Sequence, residues 1–474
     1  MPSFYLTPMT RGLITLYTST LLAGMWSMIV PAVPVIAQSF GVSAGTGAQI
    51  VTALAVGRFA GMPISGAVLD HLGTRSALVA GPALGCTAGL IAAGVPRFGL
   101  ILALVFLMGV AESIWVIARE VSGIDLARVD QRGRVLSGFH GVNNVGLALG
   151  PLVGGLLTES VGFRATFVGY AICAAASVLI GLGASGAVQG SWFNVQSPRT
   201  HPVGNSAKED SPRRRGARGR FLFQLSLRPQ RCGTLPGGHP EANAEASRFR
   251  KWRRKTDSSA PPQNDPSIIV RLKRWLRGLH DLFHQIDPQL RATYWVIVFA
   301  TFTSFVHRST TQSMLPLYGS LKLGLSPKEI GLLFTISGIS VFAMILPAGY
   351  IIDKIGRKWA TVPSTGIPAI AFLLIPFSGS FTHLAVLVSF LGISNGLSLG
   401  SLATSTYDVV PAHARGRLQA ARRTMAETGS ITAPLLGGFL ADSFAPGIPF
   451  LSYAPLLIIS ALLLAMVARE TLDR

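Results

Sequence analysis

The sequence predicts an all-α polytopic membrane protein, with twelve transmembrane helices in two pseudo-symmetric six-helix bundles. Three observations carry this. First, the 474 residues have a mean hydropathy of +0.47 and only 13% charged residues, where soluble domains carry about 25%. Apolar runs near 20 residues recur from end to end, long enough to cross a bilayer as helices. Second, the chain repeats itself at one offset. GAVLDHLGTR at 66–75 is answered by GYIIDKIGRK at 349–358, 283 residues later. At the same offset Asp125 matches Asp408, Arg132-Gly133-Arg134 matches Arg415-Gly416-Arg417, Pro151 matches Pro434, and Gly154-Gly155 matches Gly437-Gly438. Third, basic residues gather in alternate loops.

The spans run over about 12–37, 46–69, 76–94, 98–123, 134–158, 163–186, 292–318, 327–352, 359–378, 382–408, 418–442 and 448–468. Span 1 is too long for the apolar region of a signal peptide and has no clear cleavage site, so it reads as a retained span. Span 2 ends in the first repeated loop and span 3 follows it directly. Span 4 closes before Asp125 and an arginine-rich turn. Span 5 carries GLALGPLVGG at 146–155. Span 6 precedes a long polar segment. Spans 7 to 12 repeat this order, with the second loop after span 8, the Arg415–Arg417 turn after span 10, and AETGSITAPLLGG at 426–438 in span 11.

Charge orients these spans. The even-to-odd loops hold Arg75, then Arg128, Arg132 and Arg134, then the long centre, then Lys354, Arg357 and Lys358, then Arg415 and Arg417. The opposite loops are poorer, with Arg97, Arg164, Lys322 and Lys328 the main exceptions, and residues 38–47 carry no charge. Basic loops stay on the inner side. Both termini and the central loop are therefore expected in the cytoplasm, with the chain in the cell (plasma or inner) membrane.

The expected domains are an N-terminal bundle at 1–187, a linker at 188–290 and a C-terminal bundle at 291–474. The formal net charge of +20 raises nucleic-acid binding, but 20 Lys/Arg and 8 Asp/Glu sit within 188–291. Residues 196–265 are rich in Pro, Ser, Gly, Arg and Asn and lack the apolar surface needed to fold. Residues 268–286 place Ile268, Leu272, Trp275, Leu276, Leu279, Leu282, Phe283 and Ile286 at helical spacing, with Arg271, Lys273, Arg274 and Arg277 between them. This is the pattern of a basic amphipathic helix on anionic lipid, with a calmodulin-like or regulatory target as the alternative. The basic run at 213–220 also suits anionic lipid better than nucleic acid on a membrane-tethered loop. Cys86, Cys173 and Cys232 are scattered, so neither a disulfide framework nor a metal site is expected. No cofactor is expected, and no G-x-x-x-x-G-K-[ST] loop exists for direct ATP drive. Two parallel repeats in a membrane chain suggest a transporter, here one acting as a monomer on a small molecule.

The repeated loop has readable physics. Gly66 and Gly349 are small enough to admit a neighbouring helix. Gly73 and Gly356 permit a tight turn. Asp70 and Asp353 end their spans with a carboxylate, and Arg75, Arg357 and Lys358 follow. This G-x-x-x-D-x-x-G-R-K pattern resembles the signature loop of the major facilitator superfamily, and the resemblance extends over all twelve spans. The second copy is nearly complete. The first has His71 and Thr74 where the family shows basic residues. The resemblance implies that Asp70 and Asp353 face helix N-termini of the opposite half, near residues 417 and 134, and latch the cytoplasmic side shut in the outward-open state. The plainer reading is that they set topology and cap loops. Asp125 and Asp408, with the nearby arginines, form either solvated clusters or a second set of inter-half salt bridges.

Gly146, Gly150, Gly154 and Gly155 fall largely on one helical face of span 5, with Pro151 inside the span. The string resembles the span-5 signature of the superfamily's antiporters, which shifts the expected direction towards export. Ala433 stands at the Gly150 position in the second half. One departure weakens a drug/proton assignment: VFLMG in span 4 has Val105 where drug exporters often carry arginine, and span 1 has no acid.

Charged groups in mid-span are costly and usually face a cavity. Arg58 and Glu112 lie at comparable depth and make a natural pair. His307, Arg308 and Gln312 cluster in span 7, Glu427 sits in span 11, and Asn143 and Asn144 sit in span 5. Burial favours the neutral form of a carboxyl group and a nearby arginine favours the charged form. Glu112 and Glu427 are thus candidates for reversible protonation, the alternative being permanent ion pairs. Arg58 and Arg308 are candidates to hold an anionic substrate. His307 reads as structural or proton-carrying, and Trp26, Trp115 and Trp295 as cavity-lining, packing or lipid-facing. The resemblance implies a secondary active transporter and not an enzyme, with proton-coupled efflux of a small organic molecule leading. The alternatives are an importer or symporter of an organic anion, and a non-transporting sensor or scaffold.

Overall fold

The computed structural model describes residues 8–126, 132–195, 286–411 and 414–470. The amphipathic helix expected over 268–286 lies outside them but for Ile286, as do the basic run at 213–220, both termini, and the side chains of Asp125, Arg132 and Arg134.

Among the described residues nine helices are long and apolar enough to cross a membrane. One of these, Ala44–Gly94, is two spans in a single 51-residue run, interrupted at Gly73. Two more, Pro288–Leu323 and Arg415–Ser443, have the length but are too polar to qualify by composition. These polar helices are spans 7 and 11, and counting them completes the twelve-helix fold.

Span 1 changes character midway. An α-helix over Pro8–Gly24 tightens into a 3₁₀ segment over Met25–Ala32 and resumes over Val33–Ser39. Pro31 and Pro34 each remove a backbone donor from this stretch. Span 4 is Phe98–Leu126, span 5 Arg132–Ser160 and span 6 Arg164–Val195. Span 8 is Pro327–Tyr350, closed by a π-turn over Ile351–Ile355. Span 9 is Arg357–Leu374 and span 12 is Ile448–Met466. Span 10, expected as one helix, is two pieces, Phe381–Ser398 and Ser401–Val409.

The duplication is visible in the caps. Ser43 accepts a bond from Thr46 N at the start of span 2, and Ser326 accepts one from Glu329 N at the start of span 8. Such caps satisfy amides that the helix leaves unpaired. Gly73 (φ 80°, ψ 162°) and Gly356 (φ 149°, ψ 152°) turn the chain after spans 2 and 8 in backbone regions that side chains disfavour.

The two halves meet at the end formed by the turns after spans 1, 5, 7 and 11. Glycines make the seam. A Cβ on Gly438 would lie 2.6 Å from the carbonyl oxygen of Gly45, and one on Gly155 would lie 2.9 Å from Lys328 Cα. Close backbone approach of this kind needs small residues. Two carboxylates lock the seam. Asp442 in span 11 accepts bonds from Gly45 N at 2.7 Å and Ser43 Oγ at 2.6 Å, at the N-terminus of span 2. Glu159 in span 5 accepts a bond from Lys328 N at 3.3 Å, at the N-terminus of span 8. Glu159 and Asp442 are 283 residues apart, so one latch has been duplicated across the seam. A shared core of Val33, Ile36, Ile50, Met314, Leu317 and Leu333 lies behind it.

The other end is parted. Gly66 and Gly349 face open space, with nothing within 4 Å of a Cβ built on either. The close helix approach expected at these glycines is not made in this conformation, because the halves join at the opposite end. Asp70 is exposed. Asp353, 72% exposed, lies 3.3 Å from Arg357 of its own half, and Arg357 also lies 3.0 Å from Asp408. The Glu470 carboxylate accepts bonds from Arg357 N at 2.8 Å and Lys358 N at 3.1 Å, an anion on a helix N-terminus. Lys358 itself donates to Ala465 O.

Candidate functional site

A cavity of about 280 Å³ lies between the halves at mid-depth. Spans 1, 2, 4, 5, 7, 8, 10 and 11 all line it. A second cavity of about 270 Å³ shares Arg58, Glu112, Asn143, Phe305 and Ser430 with the first and adds Arg119, His140, Arg423 and Glu427. The two form one passage towards the parted end.

The intramembrane residues singled out from the sequence converge here. Arg58, Glu112, Asn143, Asn144, Arg308 and Gln312 line the central cavity, and Glu427 lines the second. Arg58 Nε lies 3.6 Å from Glu112 Oε2, and no hydrogen bond satisfies that oxygen among the described residues. The Arg58 guanidinium stacks 4.7 Å from the centre of the Trp26 ring, a cation–π contact that the irregular middle of span 1 makes possible. Glu427 faces Arg423 at 3.9 Å.

His307 is fully buried behind the wall. Its Nε2 donates to Asn395 Oδ1 at 3.1 Å, an oxygen that also accepts from Arg308 Nε at 2.8 Å. Arg308 donates in addition to Ser398 Oγ. Ser398 ends the first piece of span 10, so the break in that helix points a carbonyl-rich terminus at a cation. Broken helices at mid-membrane are where transporters bind their cargo.

The other two groups of expected site residues lie elsewhere. The loop residues Gly66, Asp70, Gly73, Arg75, Gly349, Asp353, Gly356, Arg357 and Lys358 stand at the parted end, away from both cavities. Of the span-5 string, Gly146 packs on Gly24, Gly150 on Ser27 and Gly154 on Met28, all in span 1, while Gly155 meets span 8 of the other half. Pro151 belongs to the same seam, its carbonyl facing Gly331. Trp115 is buried and donates to Ser19 Oγ at 2.9 Å, and Trp295 is exposed, so only Trp26 of the three tryptophans lines the cavity.

Several residues were not anticipated. Arg119 is 3% exposed and donates weakly from Nη2 to Asn143 at 3.5 Å, while its Nε and Nη1 make no hydrogen bond among the described residues. Asn395 was detectable: it stands 283 residues after Glu112 and so occupies the same place in span 10 that Glu112 occupies in span 4. Each carries an arginine, Arg58 in one half and Arg308 in the other.

The arrangement can bind and orient a small polar molecule and hold or release a proton at a carboxylate. Among the described residues no group of His, Cys, Asp and Glu is placed to hold a metal ion.

Comparison with known proteins agrees with this geometry. The family model described as "Major Facilitator Superfamily" matches residues 15–231 and 297–473. A chloramphenicol resistance protein of Streptomyces lividans is 29% identical over 146 residues, a match that spans 31% of this chain and 37% of that relative. Two solved structures share the fold. A mutant peptide transporter POT in complex with sulfate has a TM-score of 0.68 at 13% identity, covering 96% of this chain and 94% of that one. A POT family transporter in complex with 5-aminolevulinic acid has a TM-score of 0.66 at 12% identity, covering 96% and 95%. With a match running through both six-helix halves, the chain belongs to the Major Facilitator Superfamily of membrane transporters.

Proposed function

We propose that this chain is a proton-coupled exporter of a small organic molecule, working by alternating access. The observation that carries the coupling is Glu112. It lines both cavities, and its pairing with Arg58 is long at 3.6 Å and unsupported by hydrogen bonds to the paired oxygen. Such a carboxylate can exchange its arginine for a proton where the freed arginine finds another partner. Protonation frees Arg58, and the charge that cargo brings into the same cavity alters how firmly Glu112 holds the proton, so cargo and proton are linked. Glu427 is the second proton-carrying candidate, opposite Glu112 across the second cavity.

Orientation follows from the basic loops, which put the parted end in the cytoplasm. The conformation described is then inward-open, with Glu159 and Asp442 closing the exterior. Rocking the halves opens that seam and brings Asp70 and Asp353 towards the opposite half, where they latch the cytoplasmic side. The span-6 helix runs on to Val195 and the span-7 helix starts at Pro288, a few residues inside the expected linker 188–290; that linker is proposed to be cytoplasmic and to rest on anionic lipid. The complete glycine string of span 5 and the likeness to a protein named for chloramphenicol resistance both support export.

The test is efflux from proteoliposomes with and without an inward pH gradient. Flux is expected to follow the gradient in the wild type and to lose that dependence in Glu112→Gln. Flux indifferent to the gradient in the wild type would sink the coupling. A second reading, import of an organic anion, draws on Arg308, and uptake driven by the same gradient would favour it. Absence of any flux would leave a sensor or scaffold.

A further inference from the structure

An arginine stands against the same repeat position in each half, Arg58 from span 2 and Arg308 from span 7, but the two positions hold different residues. In the N-terminal half that position is Glu112, an acid, lying 3.6 Å from Arg58. In the C-terminal half it is Asn395, a neutral amide, bonded to Arg308 Nε at 2.8 Å. Asn395 is one methylene shorter than Glu112 and differs from it by one charge. Glu112 offsets Arg58. Asn395 orients Arg308 and offsets nothing.

The charge count of the central cavity follows. Its charged lining is Arg58, Glu112 and Arg308. With the first two paired, one positive charge remains. Arg308 makes no ion pair with an acid among the described residues; its partners are Asn395 and Ser398, both neutral. The half-helix ending at Ser398 contributes about half a negative charge at most. An unbalanced cation at mid-membrane is costly, and proteins keep one where a ligand supplies the opposite charge. His307 holds the other side of Asn395 Oδ1 at 3.1 Å, so the amide is clamped by two donors and the guanidinium is presented in a fixed direction. Trp26, Phe305 and Phe334 supply apolar wall around the same space.

We propose that the cargo carries one anionic group, a carboxylate or equivalent oxyanion, which pairs with Arg308 in the central cavity while its apolar or aromatic body lies against Trp26, Phe305 and Phe334. This rests on the reading of the chain as a proton-coupled exporter and names the chemical class of its cargo. Asn395 is then a positioning residue whose neutrality leaves Arg308 free for that group.

The decisive variant is Asn395→Asp. It conserves shape, gives Arg308 an internal counter-charge and should fold at least as well as the wild type. The probes are matched pairs of single-ring and short-chain carboxylates with their amides: benzoate and benzamide, phenylacetate and phenylacetamide, cinnamate and cinnamamide, hexanoate and hexanamide. Thermal unfolding of the purified full chain reads binding. In at least one pair the carboxylate is expected to bind about tenfold or more tightly than its amide. Asn395→Asp and Arg308→Gln should erase that difference, and Arg308→Lys should keep part of it. Equal response to both members of every pair, no response to any carboxylate, or an unchanged preference in Asn395→Asp each overturns the proposal. Flux separates it from the broader reading. Proton-driven efflux confined to neutral or cationic compounds refutes the anionic cargo alone. Carboxylate transport indifferent to the pH gradient refutes the proton coupling alone.

Discussion

Neutralising the two seam carboxylates, Asp442→Asn with Glu159→Gln, should open the seam that they now close. The size of the effect can be worked from the contacts. Asp442 takes two bonds from the start of span 2, at 2.7 and 2.6 Å. Hydrogen bonds to a charged group contribute about 1.5–3 kcal/mol each and neutral ones about 0.5–1.5. An asparagine keeps one acceptor there, so the loss is about 1–2 kcal/mol, towards the low end because the site is solvent-exposed. Interaction with the helix dipole adds a few tenths of a kcal/mol. Glu159 makes a single longer contact at 3.3 Å, which adds about 0.5 kcal/mol. The sum is near 2 kcal/mol, or roughly a 30-fold shift between conformations at about 1.4 kcal/mol per tenfold. Pulsed EPR would read it from spin labels at Val42→Cys and Ala445→Cys in a cysteine-free background. The wild type should show mainly a short distance across the seam, and the double variant a dominant longer one. An unchanged distance distribution would refute the latch, and a shift in either single variant equal to that of the pair would refute its duplication.

Other perturbations follow from the same geometry. Gly438→Val puts a side chain into the 2.6 Å approach to Gly45 O, an overpacking cost of about 1–3 kcal/mol; exchange across the bilayer should slow sharply while expression persists. Gly356→Ala forces a Cβ onto φ 149°, within 2.7 Å of Glu470 Oε2; the expected loss is about 1–3 kcal/mol, read as a lower unfolding midpoint. Asp353→Asn removes an exposed ion pair at 3.3 Å and should cost under about 1 kcal/mol of stability. Its exchange rate should nonetheless fall, because the proposed latch uses the carboxylate when the parted end closes; normal turnover would argue against that role.

Much of the fold was legible because a bilayer asks for long apolar runs and the chain states most of them twice. Spans 7 and 11 are too polar for that signal alone, and their places follow from the repeat. The break in span 10 was not legible: Leu399 and Gly400 sit in an apolar run that hydropathy reads as continuous. The placing of Arg58, Glu112 and Arg308 on a cavity followed from the cost of charge in lipid, whereas Arg119 lies four residues from the expected end of span 4, where an arginine carries no such signal. Glu159 and Asp442 stood at the repeat offset, but a carboxylate at a span end normally reads as solvated, and only the folded seam puts helix N-termini against them. The glycines at 66 and 349 were expected to admit a neighbouring helix because small residues allow close approach, while crowding depends on which end of the molecule is shut.

The polarity of spans 7 and 11 also bears on how the protein enters the membrane. Each arginine near the centre of a helix raises its insertion free energy by about 2.5–3.5 kcal/mol. Span 7 carries Arg308 beside His307, and span 11 carries Glu427, with Arg422 and Arg423 nearer its end. Neither segment is well suited to leave the translocon on its own. The partners that satisfy span 7 are synthesised after it: Asn395 and Ser398 of span 10 hold Arg308, and the Ser430 carbonyl of span 11 accepts from Ser309 at 2.7 Å. Span 7 is therefore expected to settle in the bilayer only as spans 10 and 11 join it. A chain cut short before span 10 would lose span 7 from the bilayer although every residue of that span was present.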